Sequence, residues 1–275
     1  MAPELSVVVL AYRSQEHAPA VVVPLYELLE AASVAYELIL VANFWSPEDR
    51  TPAVVAELAR GRDTIRTIAE PKQGDMGWDM RSGLRAARGC YLVVIDGDGQ
   101  VPVEYALEAY RQLAETGAPI VKGRRFLRED GSIRTVASLG FNLLFRLLFR
   151  TRGLWDVNGR PKGMTREAYQ RLDLRTGDWF TDAEILLKAR RLGLVVREFP
   201  VRFLENPARG SFVGPGTVWE FLRNMAQARL GLHPALRERP PGRSAAPSGP
   251  AGGGSIAPQG RHAAASRKPN DRGRR

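Results

Sequence analysis

Tyr91-Leu-Val-Val-Ile-Asp96-Gly-Asp98-Gly-Gln100 is a run of large, mostly apolar side chains that ends abruptly in two acids, each followed by glycine. An unbroken apolar run of this length, without alternation, reads as a strand buried on both faces. Asp96 and Asp98 stand two positions apart where the chain leaves that strand, so both can turn toward one ion. Gly97 and Gly99 permit the backbone angles and close ligand approach this requires. Hard carboxylate donors suit Mg2+ or Mn2+, and such an ion would also bridge a substrate diphosphate. A solvated Asp-Gly turn explains the two acids alone; their position after a buried strand favours a metal and phosphate site.

Working outward, the same pattern recurs. Leu5–Ala11, Tyr36–Ala42, Thr64–Ala69 and Ile120–Gly123 read as further strands. Helical spacing fills the intervals at Pro19–Ala32, Pro52–Arg60, Trp78–Arg88 and Pro102–Glu115. Strand and helix alternating in this way imply an α/β fold, a mostly parallel sheet flanked by helices. Ligands of such sheets bind beyond the carboxyl ends of the strands, so the loops that begin at Ala11, Ala42 and Asp96 should share one crevice. The second half is less regular. Val136–Arg150 is apolar with embedded arginines, Thr181–Leu192 is an amphipathic helix, Val195–Phe203 is strand-like and Thr217–Leu230 is a last helix.

Composition bounds the rest. The chain has 275 residues, 44% of them hydrophobic, and carries a net charge of +10. From Pro240 onward it holds six Arg, one Lys and one Asp among Pro, Gly, Ser and Ala, so most of the excess charge sits on a segment unable to bury a core. That basic C-terminal tail is expected to be disordered. It reads as a solubilising extension or as a tether to anionic lipid; no recognition motif accompanies it, which argues against nucleic acid. The expected layout is one domain over 1–233, with a nucleotide half (1–123) and an acceptor half (124–233), followed by the tail 234–275. The single cysteine, Cys90, precedes an apolar run and is expected to be buried, and three scattered histidines make a zinc site an unattractive reading. No stretch reaches the roughly 18–20 apolar residues of a membrane-spanning helix, and the start lacks a signal-peptide pattern. These features point to a cytoplasmic protein, with peripheral attachment to the inner face of a membrane as an option.

An ordered series of short motifs adds a resemblance. Asp96, Asp98 and Gln100 match an Asp-x-Asp-x-Gln segment, and Ala11-Tyr12-Arg-Ser-Gln-Glu16 is similar to an Ala-Tyr-Asn-Glu turn after the first strand. Val121-Lys-Gly-Arg-Arg125, the spaced Arg134, Ser138 and Asn142, the turn Asp156-Val-Asn-Gly159 and the loop Arg209-Gly-Ser211 follow in the same order. From Leu5 to Gly216 the chain resembles glycosyltransferase family 2, with the GT-A fold, and within it the dolichol-phosphate mannosyltransferase group. The resemblance implies an inverting transferase that moves a hexose from a nucleotide sugar to a polyprenyl phosphate, aided by Mg2+ or Mn2+.

Roles follow from the resemblance residue by residue. Asp96, Asp98 and Gln100 would hold the metal. Ala11, Tyr12, Glu16, Asn43, Gly77, Asp96, Gly97, Asp98 and Lys162 would line the donor site. Arg125 and Arg134 would hold phosphates, and Asp182 would serve as general base if the acceptor is a hydroxyl. One departure stands out: the family's Asp-Asp after the second strand is here Asn43-Phe44-Trp45. Asn43 can donate and accept; Phe44 and Trp45 would either stack on a base or belong to the core. Gly74-Asp-Met-Gly77 reads as a phosphate-facing turn or as a plain helix entry. Leu139–Phe149 reads as a core helix or as an interfacial one.

Alternatives remain at this point. The acceptor could be a soluble or glycan hydroxyl rather than a lipid phosphate. A nucleotidyl- or phosphoryl-transferring enzyme would need a Gly-rich, Lys-bearing loop after the first strand, which Tyr12-Arg-Ser-Gln15 is not. A non-catalytic nucleotide-binding or membrane-tethered scaffold would place the working part in the tail.

Overall fold

A computed structural model describes residues 2–128, 132–151, 153–205 and 215–237, apart from the side chains of residues 127, 128, 132–134, 137 and 215. Its seven described strands form one sheet: β1 (Leu5–Leu10), β2 (Tyr36–Val41), β3 (Ile65–Ile68), β4 (Tyr91–Asp96), β5 (Ile120–Arg128), β6 (Lys162–Thr165) and β7 (Val196–Phe203), in the order β3-β2-β1-β4-β6-β5-β7. Every pairing is parallel except those of β6, which runs antiparallel to both β4 and β5. The carboxyl ends of the parallel strands therefore share one edge with the amino end of β6. The basic tail from Pro240 and the loop Arg209-Gly-Ser211 lie outside the described residues. The compact unit that carries the sheet spans Met1–Arg237.

The apolar runs form the strands for the reason the sequence suggested: they are covered on both sides. One face packs Val7, Val9, Leu38, Leu40 and Val93 under α1 (Ala18–Ala31), α2 (Thr51–Ala59) and α4 (Glu104–Thr116). The other packs Val8, Ile39, Val41, Leu92 and Val94 under α3 (Met76–Ala86), α6 (Arg166–Leu172) and α7 (Thr181–Arg191). Each such side chain contributes roughly 1.5–3 kcal/mol by leaving water. A third cluster joins α5 (Ser132–Phe149), α7 and α8 (Pro215–Arg229) through Phe145, Phe149, Phe180, Leu186 and Met225.

Two elements escaped the sequence reading. β6, Lys-Gly-Met-Thr, has no apolar run because its buried lysine serves the site, and α6 begins directly from it on the Thr165 cap, whose hydroxyl accepts the Ala168 N–H at 3.1 Å. β5 is also longer than its apolar start, Ile120–Gly123, because it pairs with β7 as far as Arg128. Cys90 is exposed, not buried. It sits in the turn before β4, with its carbonyl accepting the Arg166 N–H at 2.8 Å.

One of the contacts between the two halves of the fold is a close helix approach. α3 enters against the segment before α7, and the Gly177 carbonyl accepts the N–H groups of Asp75 and Trp78 at 2.7 and 3.0 Å. A Cβ at Gly77 would lie 1.9 Å from Thr181 Oγ1 and 2.5 Å from the Asp178 carbonyl oxygen. Gly77→Ala is therefore expected to destabilise the fold by about 1–3 kcal/mol, the usual range for overpacking. Urea unfolding checks this, and an unchanged midpoint would contradict the contact.

Candidate active site

The site lies where the sheet's carboxyl edge meets the loop that leads into β6. β1 ends at Leu10, whose carbonyl accepts the Gly97 N–H at 2.9 Å, and Ala11 is held by the Val41 carbonyl at 2.8 Å. The buried Ser14 hydroxyl donates to the Gly97 carbonyl at 3.1 Å. The first loop thus braces the Asp96–Gln100 turn directly. Gly99 adopts φ +73°, a conformation open to glycine, and Asp98 Oδ1 accepts the Gln100 N–H at 3.1 Å.

A divalent cation fits this edge as a partly built site. Asp96 and Asp98 are half-buried hard donors at the carboxyl end of β4. Among the described residues no group of three or more His, Cys, Asp or Glu is arranged to hold a metal. Two carboxylates completed by substrate phosphates and water are the ordinary environment of Mg2+. Gln100, expected as a third ligand, is tied elsewhere: its Nε2 donates to the Leu204 carbonyl at 3.1 Å, and its own carbonyl accepts the Leu204 N–H at 2.8 Å. It clamps the turn to the end of β7 and has only its amide oxygen to offer.

The largest difference from the sequence reading is Arg160. It is buried, its Nη1 donates to both oxygens of Asp182 at 2.8 and 3.0 Å, and its Nε lies 3.3 Å from Asp96 Oδ1. Lys162, fully buried, donates to the carbonyls of Val157 and Gly159 at 3.0 Å each and meets Asp182 Oδ1 at 2.9 Å. Those three acceptors match an ammonium's three N–H bonds. The expectation that Lys162 touches the donor is therefore corrected: it locks Asp182 and the loop above it. Burial disfavours the charged form of Asp182, but Arg160 and then Lys162 outweigh it and hold the carboxyl below its usual range. Both oxygens of Asp182 are thus engaged by cationic donors, an arrangement that does not favour the general-base role considered for a hydroxyl acceptor.

The same loop is fixed from below. The buried Lys122 pairs with Glu198 Oε1 at 2.8 Å and donates to the Asp156 carbonyl. Glu198 also accepts the N–H groups of Trp155 and Asp156 at 2.9 and 3.1 Å. Asn142 of α5 accepts the Val157 N–H at 2.9 Å. Arg125 donates Nε and Nη2 to the two oxygens of Asp156, both at 2.7 Å, and approaches the Ser138 hydroxyl at 3.4 Å. Burial opposes the charge on Asp156, yet the Arg125 fork holds the carboxyl well below the usual carboxylate range. Arg125 is thus a loop brace, not an open phosphate clamp. The side chain of Arg134 lies outside the described residues.

Three donor-side expectations change too. Asn43 is fully buried. Its amide nitrogen donates to Asp79 Oδ1 and the Ser82 hydroxyl at 3.0 Å each, and its oxygen accepts the Glu70 N–H at 2.9 Å. It organises the edge rather than reading a base. Asp79 also pairs with the buried Lys72, whose Nζ sits 4.1 Å from the centre of the Tyr12 ring. Gly77 is closed off by Thr181 and Asp178, as described, and its turn faces the Gly177 carbonyl rather than a phosphate. Glu16 is exposed and pairs with Arg50 at 3.1 Å. Phe44 bridges Pro71, whereas Trp45 is 58% exposed and thus no part of the core.

With this geometry in view, comparison decides the family. The Glycosyl transferase family 2 profile matches residues 6–173. The chain belongs to that family. Glycosyltransferase AglD of Haloferax volcanii is 31% identical over 207 residues, 72% of this chain and 32% of that protein. The dolichyl-phosphate beta-glucosyltransferase of Drosophila melanogaster is 30% identical over 236 residues, 78% of this chain and 71% of that one. Relatives of the latter kind from Trichomonas vaginalis are 28% and 26% identical, and the chain spans 66% of each. The chain thus covers a third to about two thirds of these relatives' lengths. Mannosyl-3-phosphoglycerate synthase from Rubrobacter xylanophilus superposes with a TM-score of 0.65 at 18% identity, covering 88% of this chain and 79% of that one. Glucosyl-3-phosphoglycerate synthase from Mycobacterium tuberculosis, in complex with Mn2+, UDP and glucosyl-3-phosphoglycerate, does so with a TM-score of 0.61 at 18% identity, covering 84% and 81%. These neighbours establish the shared GT-A fold.

The buried lysine makes a testable signature for a family 2 site of this build. Burial pushes Lys162 down to about 7; Asp182 opposes this, and Arg160 and Lys122 add to it. Below pH 7 both folded and unfolded chains hold the proton, and the full cost of burying the charge is present. From about pH 7 to the ordinary lysine value near 10.4 only the unfolded chain holds it, so this group's contribution to stability rises with pH, by up to about 1.4 kcal/mol per unit. Urea unfolding of the wild type and Lys162→Met between pH 6 and 9.5 should show a difference that grows in favour of the wild type above pH 7. A difference independent of pH would refute the assignment.

Proposed function

We propose that the protein transfers a hexose, with inversion, from a nucleoside diphosphate sugar to a polyprenyl phosphate. The observation that carries this reading is Asp182, buried and held ionised by Arg160 and Lys162 beside the Asp96 edge. A hydroxyl acceptor needs a base able to take its proton. A phosphate acceptor arrives as an anion and needs none. A carboxylate whose two oxygens are already engaged by Arg160 and Lys162 thus favours a phosphate over a glycan hydroxyl, and the dolichyl-phosphate relatives point the same way.

In this reading the acceptor's phosphate oxygen attacks the anomeric carbon. The bond from that carbon to the donor's diphosphate oxygen breaks, and the nucleoside diphosphate leaves with the electron pair. Asp96 and Asp98 are the side chains that would hold Mg2+ or Mn2+, and the ion when bound neutralises charge growing on the leaving diphosphate. The loop braced by Arg125, Lys122 and Asn142 fixes Arg160 and Asp182 in place, so little reorganisation accompanies the step. Tyr12, Ala11 and Gly97 form the floor on the donor side.

The acceptor's lipid has a surface to meet. Helix α5 turns Phe145 and Phe149 inward but exposes Val136, Leu139, Leu143 and Leu147, at 68, 64, 56 and 69%, along one helical stripe. Phe141 joins it to Phe221 of α8 at 5.1 Å, and α8 presents Trp219 at 70% exposure. Arg146 lies over the Trp155 ring at 4.0 Å, within reach of headgroups. α5 packs one face into the core, and its exposed apolar stripe is what supports the interfacial reading. No described helix is long and apolar enough to cross a membrane. The natural placement is peripheral, with the basic tail adding electrostatic attraction to anionic lipid.

Two measurements test the proposal. Vesicles containing a polyprenyl phosphate, mixed with labelled UDP-glucose or GDP-mannose and Mn2+, should yield labelled lipid with the full chain. Asp98→Asn should cut the rate by about 100-fold, the scale of losing one oxyanion-stabilising group; label found only on water-soluble acceptors would sink the lipid reading. In flotation with anionic vesicles, Leu143→Glu/Leu147→Glu should lose most binding while deletion of 240–275 weakens it in a salt-dependent way. Unchanged flotation of the double variant would remove α5 from the membrane surface.

A further inference from the structure

The guanidinium of Arg160 stands between the two carboxylates that matter most and treats them differently. Toward Asp182 it makes directed hydrogen bonds at 2.8 and 3.0 Å. Toward Asp96 the contact is longer and less directed: Nε lies 3.3 Å from Oδ1, outside good hydrogen-bond geometry. Asp182 is held a second time by Lys162, whereas among the described residues Asp96 forms an ion pair with Arg160 alone. The Arg160 side chain is 4% exposed and its remaining nitrogen rests on Met76 Sδ at 3.2 Å, so the charge cannot swing away into solvent. A fixed cation therefore sits against the first carboxylate of the metal edge, held by a contact weak enough to yield.

We propose that Arg160 is a positioning residue that sets when the divalent cation binds: it screens Asp96 in the donor-free site, so the ion enters together with the diphosphate rather than alone. This inference rests on the metal reading of Asp96 and Asp98 given above. A lone Mn2+ meets one carboxylate already screened and a positive charge a few ångströms away. The diphosphate brings negative charge and oxygen ligands, which offset the guanidinium and complete the coordination. Arg160 then remains on Asp182 through its two directed bonds. The order of binding is thereby written into one side chain, and a stray ion without donor gains little hold.

The test measures free Mn2+ by electron paramagnetic resonance on the full chain, first without nucleotide and then with UDP or GDP. Arg160→Gln should bind Mn2+ on the order of tenfold more tightly than the wild type without nucleotide, because a nearby like charge is gone. The enhancement that nucleotide confers should shrink in the same variant. Arg160→Lys, which keeps the charge, should stay close to the wild type. Asp182→Asn frees Arg160 to press on Asp96 and should weaken nucleotide-free binding several-fold by the same electrostatics. A damaged fold lowers affinity, so the gain in Arg160→Gln cannot arise from misfolding. Should that variant not fold, the loss in Asp182→Asn, set beside circular dichroism equal to the wild type, decides the matter. If the wild type binds Mn2+ with nucleotide but Arg160→Gln shows equal or weaker nucleotide-free affinity, this inference falls and the metal reading stands. If no variant binds Mn2+ even with nucleotide, both fall.

Discussion

The buried charge cluster of Arg160, Lys162 and Asp182 is the constraint around which the acceptor half is built. Two cations and one carboxylate removed from water would each cost several kcal/mol alone. They are tolerated because every polar hydrogen on Lys162 has an acceptor and Asp182 takes hydrogen bonds on both oxygens. That demand reaches outward. Lys162 needs the carbonyls of Val157 and Gly159, so the loop must lie flat over β6. The loop lies flat because Glu198, Lys122, Asn142 and Arg125 each hold a different atom of it. Removing one partner leaves an uncompensated buried charge, which explains why so many polar side chains converge on so few residues.

The arrangement separates two tasks that one acidic residue might otherwise share. Asp96 and Asp98 remain near solvent, where a cation and a diphosphate can reach them. Asp182 is withdrawn from solvent, with both oxygens held by Arg160 and Lys162. Arg160 connects the two, directed on one side and loose on the other. Preorganised charge of this kind acts without moving during the reaction, the property expected of a site that stabilises a leaving anion.

The sequence made the sheet legible and the site only partly so. Continuous apolar runs such as Val7–Val9, Leu38–Val41 and Leu92–Ile95 have one stable environment, between two helical layers, and they occupy it. The Asp96–Gln100 turn was legible as the end of a buried strand because that pattern is local. Arg160 could not. Its partners lie at distant positions, and a lone arginine before a proline carries no periodic signal; the one hint was two cations within three residues of a family turn. Asn43 misled for the same reason. Its amide can bind a nucleotide in principle, but Asp79, Ser82 and Glu70, all remote in sequence, had already claimed it. Gly77 looked like a phosphate turn because small residues at a helix start serve ligands and close helix packing alike.

The antiparallel strand β6 has a consequence for how the chain is made. It is the piece that fills the gap between β4 and β5, yet it is synthesised after both. Until Thr165 has emerged, β4 presents an unpaired edge of buried-strand residues on the growing polypeptide, an invitation to wrong partners. The nucleotide half is therefore completed by a four-residue strand whose one large apolar side chain, Met164, enters the core beneath it. Maturation of the sheet and assembly of the charge cluster become a single event, because the strand that closes the gap is also the one that delivers Lys162.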